Sequence, residues 1–113
     1  MNDSTSLPMT EVTYFILLSL APGARHGYAI MKDVRFISQG RISLSTGTLY
    51  GGLKRLLNLG WITRSDNSSS VVSGRVRKSY RLTALGRSLL AAEIERLESL
   101  LEAANLRTTG EGA

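Results

Sequence analysis

The chain has no cysteine, one histidine, two prolines and one tryptophan in 113 residues. Without cysteine there are no disulfides and no thiolate metal sites, and a single histidine leaves little with which to build a metal site or a His-based catalytic triad. No cofactor or metal is therefore expected, and enzymatic chemistry has little to work with. Long apolar runs are missing too: none reaches the roughly 18 residues of a membrane span, and the N-terminus lacks the basic start and apolar core of a signal peptide. These features predict a cytoplasmic protein with no membrane partner. The length suits one domain with a modest core, completed by self-association if its apolar faces require it.

Carboxylates are scarce in the middle of the chain. The formal net charge of +5 hides a division in which residues 1–40 are balanced, residues 88–113 carry a net −3, and residues 41–87 carry nine basic side chains against Asp66 alone. A positive field so concentrated points to a polyanion more strongly than a pI near 10.1 does by itself.

Within that basic segment, Ser45 to Gly60 reads as one helix with both ends encoded. Ser45 is suited to accept an N-cap hydrogen bond, and Gly60 can take the left-handed conformation that closes a helix. Leu49, Leu53, Leu56 and Leu57 recur at the spacing of a core-facing stripe. The opposite face carries Gly47, Thr48, Gly51, Lys54, Arg55 and Asn58 and has no carboxylate. A DNA backbone fits such a face, although a solvated basic face has the same pattern. Each mid-helix glycine costs about 1 kcal/mol relative to alanine, so both glycines call for a reason: Gly52 on the buried side would permit close helix packing, and Gly51 on the outer face would permit close approach of a ligand's backbone.

Residues 1–9 read as a flexible lead. From Thr10, an N-cap, a short helix runs to Pro22-Gly23 with two apolar stripes. Val12, Phe15, Ile16 and Leu20 form one, and Tyr14, Leu17, Leu18 and Ala21 form the other, which is expected to face a partner chain, with burial inside a single core as the alternative. A second helix opens at His26-Gly27-Tyr28 with Ile30, Val34 and Ile37 buried, Met31 and Phe36 beside them, and His26 in a capping or packing role. It ends at Gln39-Gly40. Two short helices followed by a capped basic helix make a helix-turn-helix. Beyond Gly60, residues 61–64 and 76–82 have strand propensity around a turn-rich tip, which predicts a basic β-hairpin, a wing, with Trp61 packed at its base. Alternation puts Val76, Lys78, Tyr80 and Leu82 on one face of the second strand. Thr83 then caps a last helix over residues 84–106. In it Leu90, Ile94, Leu97, Leu101 and Ala104 form a heptad seam, broadened by Leu85, Leu89 and Leu100. Residues 107–113 read as a flexible tail. The expected fold is mainly α with a two-stranded β-hairpin: a winged helix-turn-helix over residues 10–83 plus a C-terminal dimerisation helix.

With these residues in view, the chain resembles the PadR family of bacterial transcriptional regulators, in its small subclass with a single short C-terminal helix. The matching stretches are I-L-L-S-L at 16–20, H-G-Y at 26–28, S-T-G-T-L-Y-G-G-L-K-R-L at 45–56, G-W-I at 60–62 and K-S-Y-R-L-T-A-L-G at 78–86. Each is weak alone, and the ordered set is specific. The resemblance implies a homodimeric, cytoplasmic repressor of bacterial type that binds double-stranded DNA and is often released by a small aromatic or hydrophobic effector. It assigns the recognition-helix contacts to Ser45, Thr46, Thr48, Tyr50, Lys54 and Arg55, beside Gly51, whose place on the outer face already suits a close approach to DNA. The wing contacts are Arg75, Arg77 and Lys78, and Tyr80, which matches the aromatic that precedes the L-T pair, is counted with them as a DNA contact. A partner chain would be met through Tyr14, Leu17, Leu18, Leu90, Ile94, Leu97 and Leu101, with any effector between the first and last helices. Two departures stand out: Gly51 occupies the position where the family usually has proline, and the last helix has no aromatic residue. The strongest rival from another class is a winged-helix module that binds an acidic protein.

Overall fold

The structure, a computed structural model, describes residues 8–65, 71–72, 75–76 and 78–109. Residues 1–7, 66–70, 73–74, Arg77 and residues 110–113 lie outside them. The order of elements is α1 (Glu11–Leu20), β1 (Arg25–His26), α2 (Gly27–Ile37), α3 (Thr46–Leu59), β2 (Ile62–Arg64), β3 (Val71–Val72), β4 (Arg75–Val76), β5 (Ser79–Leu82) and α4 (Ala84–Thr108). This is the mainly helical, winged architecture expected, with α4 carried two residues further than the sequence suggested.

Hydroxyl side chains start three of the four helices. Thr10, Ser45 and Thr83 accept from the amides of Thr13, Thr48 and Gly86 at 3.1, 3.1 and 3.0 Å. Each satisfies one amide that a helix leaves unpaired. His26 stands at the corresponding place before α2 without a side-chain cap. Its Nδ1 instead lies 2.9 Å from the Ser79 hydroxyl. At the other end of α3, Gly60 takes φ 78° and ψ 16°, and the amides of Gly60 and Trp61 return to Leu57 and Leu56 carbonyls at 3.1 and 3.0 Å. That left-handed closure turns the chain directly into β2.

The core is built from Ile16, Leu17 and Leu20 of α1, Ile30 and Val34 of α2, Leu49, Leu53 and Leu56 of α3, Ile62, Tyr80 and Leu82 of the sheet, and Leu90 of α4. Burying each leucine of α3 contributes about 1.5 to 3 kcal/mol. Rotating the helix to expose them would forfeit all three contributions, so its opposite face is held outward. Phe36 departs from expectation: it is 79% exposed. It lies two positions beyond Val34, about 200° round the helix, and so projects away from the buried stripe.

The sheet has three antiparallel strands in the order β1-β5-β2, one more than the expected hairpin. Arg25 and His26 face Tyr80 and Ser79 on one side of β5, and Ile62, Thr63 and Arg64 face Leu82, Arg81 and Tyr80 on the other. Beyond them β3 pairs with β4, Val71 opposite Val76 and Val72 opposite Arg75, which extends the wing. A central β5 buries Ser79, Tyr80 and Leu82 and leaves Arg81 exposed.

Thr83 ties the start of α4 to the end of α3, donating its hydroxyl to Gly60 O at 2.6 Å and its amide to Trp61 O at 3.1 Å. Gly86 lies so close to the Trp61 carbonyl that a Cβ there would collide with it. From this anchored start α4 projects. The radius of gyration is 16.7 Å and the long axis 64 Å, against about 13 Å expected for the radius of a compact chain of this length. Residues 98–109 are all exposed. No helix among the described residues is long and apolar enough to cross a membrane.

Candidate nucleic-acid interface

The outward face of α3 begins at its cap. Ser45 Oγ accepts from Thr48 N and donates to Thr48 Oγ1 at 2.9 Å, which leaves Thr48 its own proton to donate. Ser45, Thr46, Gly47, Thr48, Gly51, Lys54 and Arg55 are all exposed. The helix contains no carboxylate, and neither Lys54 nor Arg55 has an ion-pair partner among the described residues. Small polar groups at the amino end and two cations a turn later match what phosphate and base edges require: donors, positive charge and little bulk. A Cβ at Gly51 would meet nothing within 4 Å, so no packing inside this chain requires glycine there. Gly52 is similar in kind. A Cβ would make ordinary contact with Ile16 Cδ1 at 3.6 Å, so the close helix packing expected at this position does not exclude alanine.

Tyr50 leaves this face partway. Its phenol ring lies over Gly27, where a Cβ would collide with the hydroxyl oxygen and Cζ, while the side chain stays 41% exposed. Gly27 is therefore a seat that fixes the first turn of α2 against α3. The H-G-Y stretch carries that signal, but the sequence does not show which side chain fills the space above the glycine.

Among the expected wing residues, Arg75 begins β4, Lys78 is exposed just before β5, and Arg77 falls outside the described residues. Tyr80, assigned to DNA by resemblance, is 3% exposed. It is enclosed in the core of the single chain. Its ring instead underlies Arg64, whose guanidinium carbon is 5.9 Å from the ring centroid. Arg64 was not among the expected contacts, and only the cross-strand register that places it opposite Tyr80 reveals the pairing.

The residues expected at a partner chain divide by burial. Leu17 and Leu90, at 0% and 5% exposure, are enclosed in the core of the single chain. Tyr14, Leu18 and Ile94 pack against that core in part, Leu97 is half-buried, and Leu101 is 60% exposed. The partly and fully accessible members lie along α1 and the outer part of α4. Where the two helices meet, a cleft of about 300 Å³ is lined by Tyr14, Phe15 and Leu97 with Arg41 and Arg96 at its edges. Its charges are matched: Arg41 Nη2 donates to Glu11 at 2.6 Å, and Arg96 donates twice to Glu93, at 2.9 and 2.6 Å. Glu93 is buried, yet the Arg96 fork holds its carboxyl below the ordinary 4.5 against the opposing effect of burial, helped by the Met9 amide. In the sequence Glu93 is one of the five acids behind the net −3 of residues 88–113, with nothing to mark its burial.

Comparison with known proteins agrees with this geometry. The model of the PadR-like family of transcriptional regulators matches residues 16–92. Among solved structures, a PadR-like transcription factor from Bacteroides fragilis is 28% identical with a TM-score of 0.70, over 86% of this chain and 89% of that one. A transcriptional regulator from Clostridium thermocellum is 26% identical with a TM-score of 0.68, over 86% and 92%. The Bacillus subtilis PadR in complex with operator DNA is 28% identical with a TM-score of 0.64, over 75% of this chain and 46% of that one. None of the curated proteins matches the sequence.

Proposed function

This chain belongs to the PadR-like family of transcriptional regulators, and from that premise we propose that it is a homodimeric repressor whose α3 helices read an operator. The family consists of regulators rather than enzymes. The observation that carries the proposal is the outer face of α3: Thr46, Thr48, Gly51, Lys54 and Arg55 exposed together, with no carboxylate on the helix. A related protein, the Bacillus subtilis PadR, has been solved on operator DNA. Two α3 helices in a dimer would enter successive major grooves about 34 Å apart. The wing residues Arg75, Arg77 and Lys78 would flank them on the backbone.

Support for a dimer comes from apolar surface that one chain leaves uncovered. Leu101, 60% exposed, continues the stripe of the half-buried Ile94 and Leu97, and Leu100, 55% exposed, lies beside it. A second α4 would cover them. The cleft between α1 and α4 is where a small aromatic or hydrophobic effector would lie, with Tyr14, Phe15 and Leu97 as its apolar walls. Occupancy there would act on the angle between α4 and the DNA-binding domain, and so on the distance between the two α3 helices.

Footprinting on DNA upstream of the protein's own gene tests the proposal. The expected result is one protected near-palindrome with half-sites about one helical turn apart. Protection that spreads evenly along the fragment, with no bounded site, would contradict it.

A further inference from the structure

The cleft between α1 and α4 has apolar walls in Met9, Tyr14, Phe15 and Leu97. Its edges carry two ion pairs, Arg41 with Glu11 and Arg96 with Glu93, so the residues that line it have no net charge. That balance decides what the cleft can take. A ligand bearing only an anion or only a cation draws off one member of a pair and leaves the other without its counter-ion. A zwitterion exchanges one ion pair for two and leaves no charge over. The two pairs differ in how easily they open. Arg96 donates to Glu93 twice, at 2.9 and 2.6 Å, and the Glu93 side chain is 5% exposed, so parting them strands a buried carboxylate. Arg41 and Glu11 meet through one bond of 2.6 Å with 59% and 67% of their side chains exposed, and their separation costs little.

Opposite charges that close together call for a ligand whose own carboxylate and ammonium share one carbon. We propose that the cleft binds a free α-amino acid with an apolar side chain. Its carboxylate lies on Arg41, its ammonium on Glu11, and its side chain against Tyr14, Phe15 and Leu97. A volume of about 300 Å³ is at the small end of ligand sites, which suits a single amino acid. Arg41 belongs to the turn between α2 and α3, where its amide donates to Ser38 O at 3.1 Å, while Glu11 opens α1. A head group held between them joins the turn that leads into α3 to the first helix. The inference rests on the effector reading of this cleft and adds the charge pattern of the ligand.

Calorimetric titration of the full chain with L-phenylalanine, phenylpropanoate, phenethylamine and the uncharged phenylpropanol tests it. Phenylalanine should bind best. Phenylpropanoate and phenethylamine, each lacking one charge, should bind more weakly by about tenfold, the loss of one charge-assisted hydrogen bond. Glu11→Gln should remove the advantage of phenylalanine over phenylpropanoate, and Arg41→Gln its advantage over phenethylamine. An analogue that binds as tightly as phenylalanine or more tightly, or an advantage that survives both substitutions, overturns the amino-acid site and leaves the cleft an effector site. If none of the four compounds binds, the amino-acid site and the effector reading of the cleft fall together.

Discussion

At Gly51 helix stability and access to the helix surface pull in opposite directions. Alanine would find open space there and should stabilise the free protein by about 1 kcal/mol. If α3 approaches DNA at this point, the added methyl group holds the two apart. Gly51→Ala should therefore raise the unfolding midpoint while weakening operator binding, measured by thermal melts and anisotropy on one preparation. Equal affinity in the variant would mean that Gly51 is not at the closest approach. Tyr80 shows how far single residues were legible. Strand alternation puts it on the face of Leu82, while the family pattern suggested a contact; its 3% exposure places it in the core of the single chain. Neighbouring strands are a long-range fact, and the sequence of β5 does not contain them.

Among the elements, those with caps were read most closely. Thr10, Ser45, Thr83 and Gly60 fix helix ends through cap bonds to residues three or four positions away, so their signals are local. The strand β1 went unread because two residues have no period, and it forms only because β5 offers an open edge. The joint between α2 and α3 is likewise tertiary. Gly27→Ala should drive Tyr50 off its seat, lower the melting temperature and weaken DNA binding even though Gly27 touches no ligand. Wild-type affinity with an unaltered melt would show the seat to be dispensable. On α4, Glu93 ties the helix to Met9 through a carboxyl whose affinity for protons is lowered in the folded state. Its stabilising contribution is complete above the ordinary value of 4.5 and is lost as pH falls through the lowered folded value. Glu93→Gln should thus be less stable than wild type at neutral pH, and the two should converge in acid. A gap that persists unchanged in strong acid would place the effect of the substitution in packing instead.

For the whole molecule, the proposal joins the projecting α4 and the concentrated positive charge in one arrangement: one would hold two copies together, and the other would bring them to DNA. Leu101→Glu tests the first part cleanly, because Leu101 is 60% exposed in a single chain and its loss should leave the monomer folded. Light scattering at micromolar concentration should find a dimer for wild type and a monomer with a native helical spectrum for the variant; a dimeric variant would place the interface elsewhere. The second part is tested most directly by the ratio of affinities for operator and scrambled duplexes at fixed salt. Wild type should prefer its operator, and Lys54→Ala or Thr48→Ala should narrow that preference by about 1 to 3 kcal/mol, the discrimination supplied by one good base contact. A wild type that binds both duplexes equally, or a preference that survives both substitutions unchanged, would contradict α3 as the reader.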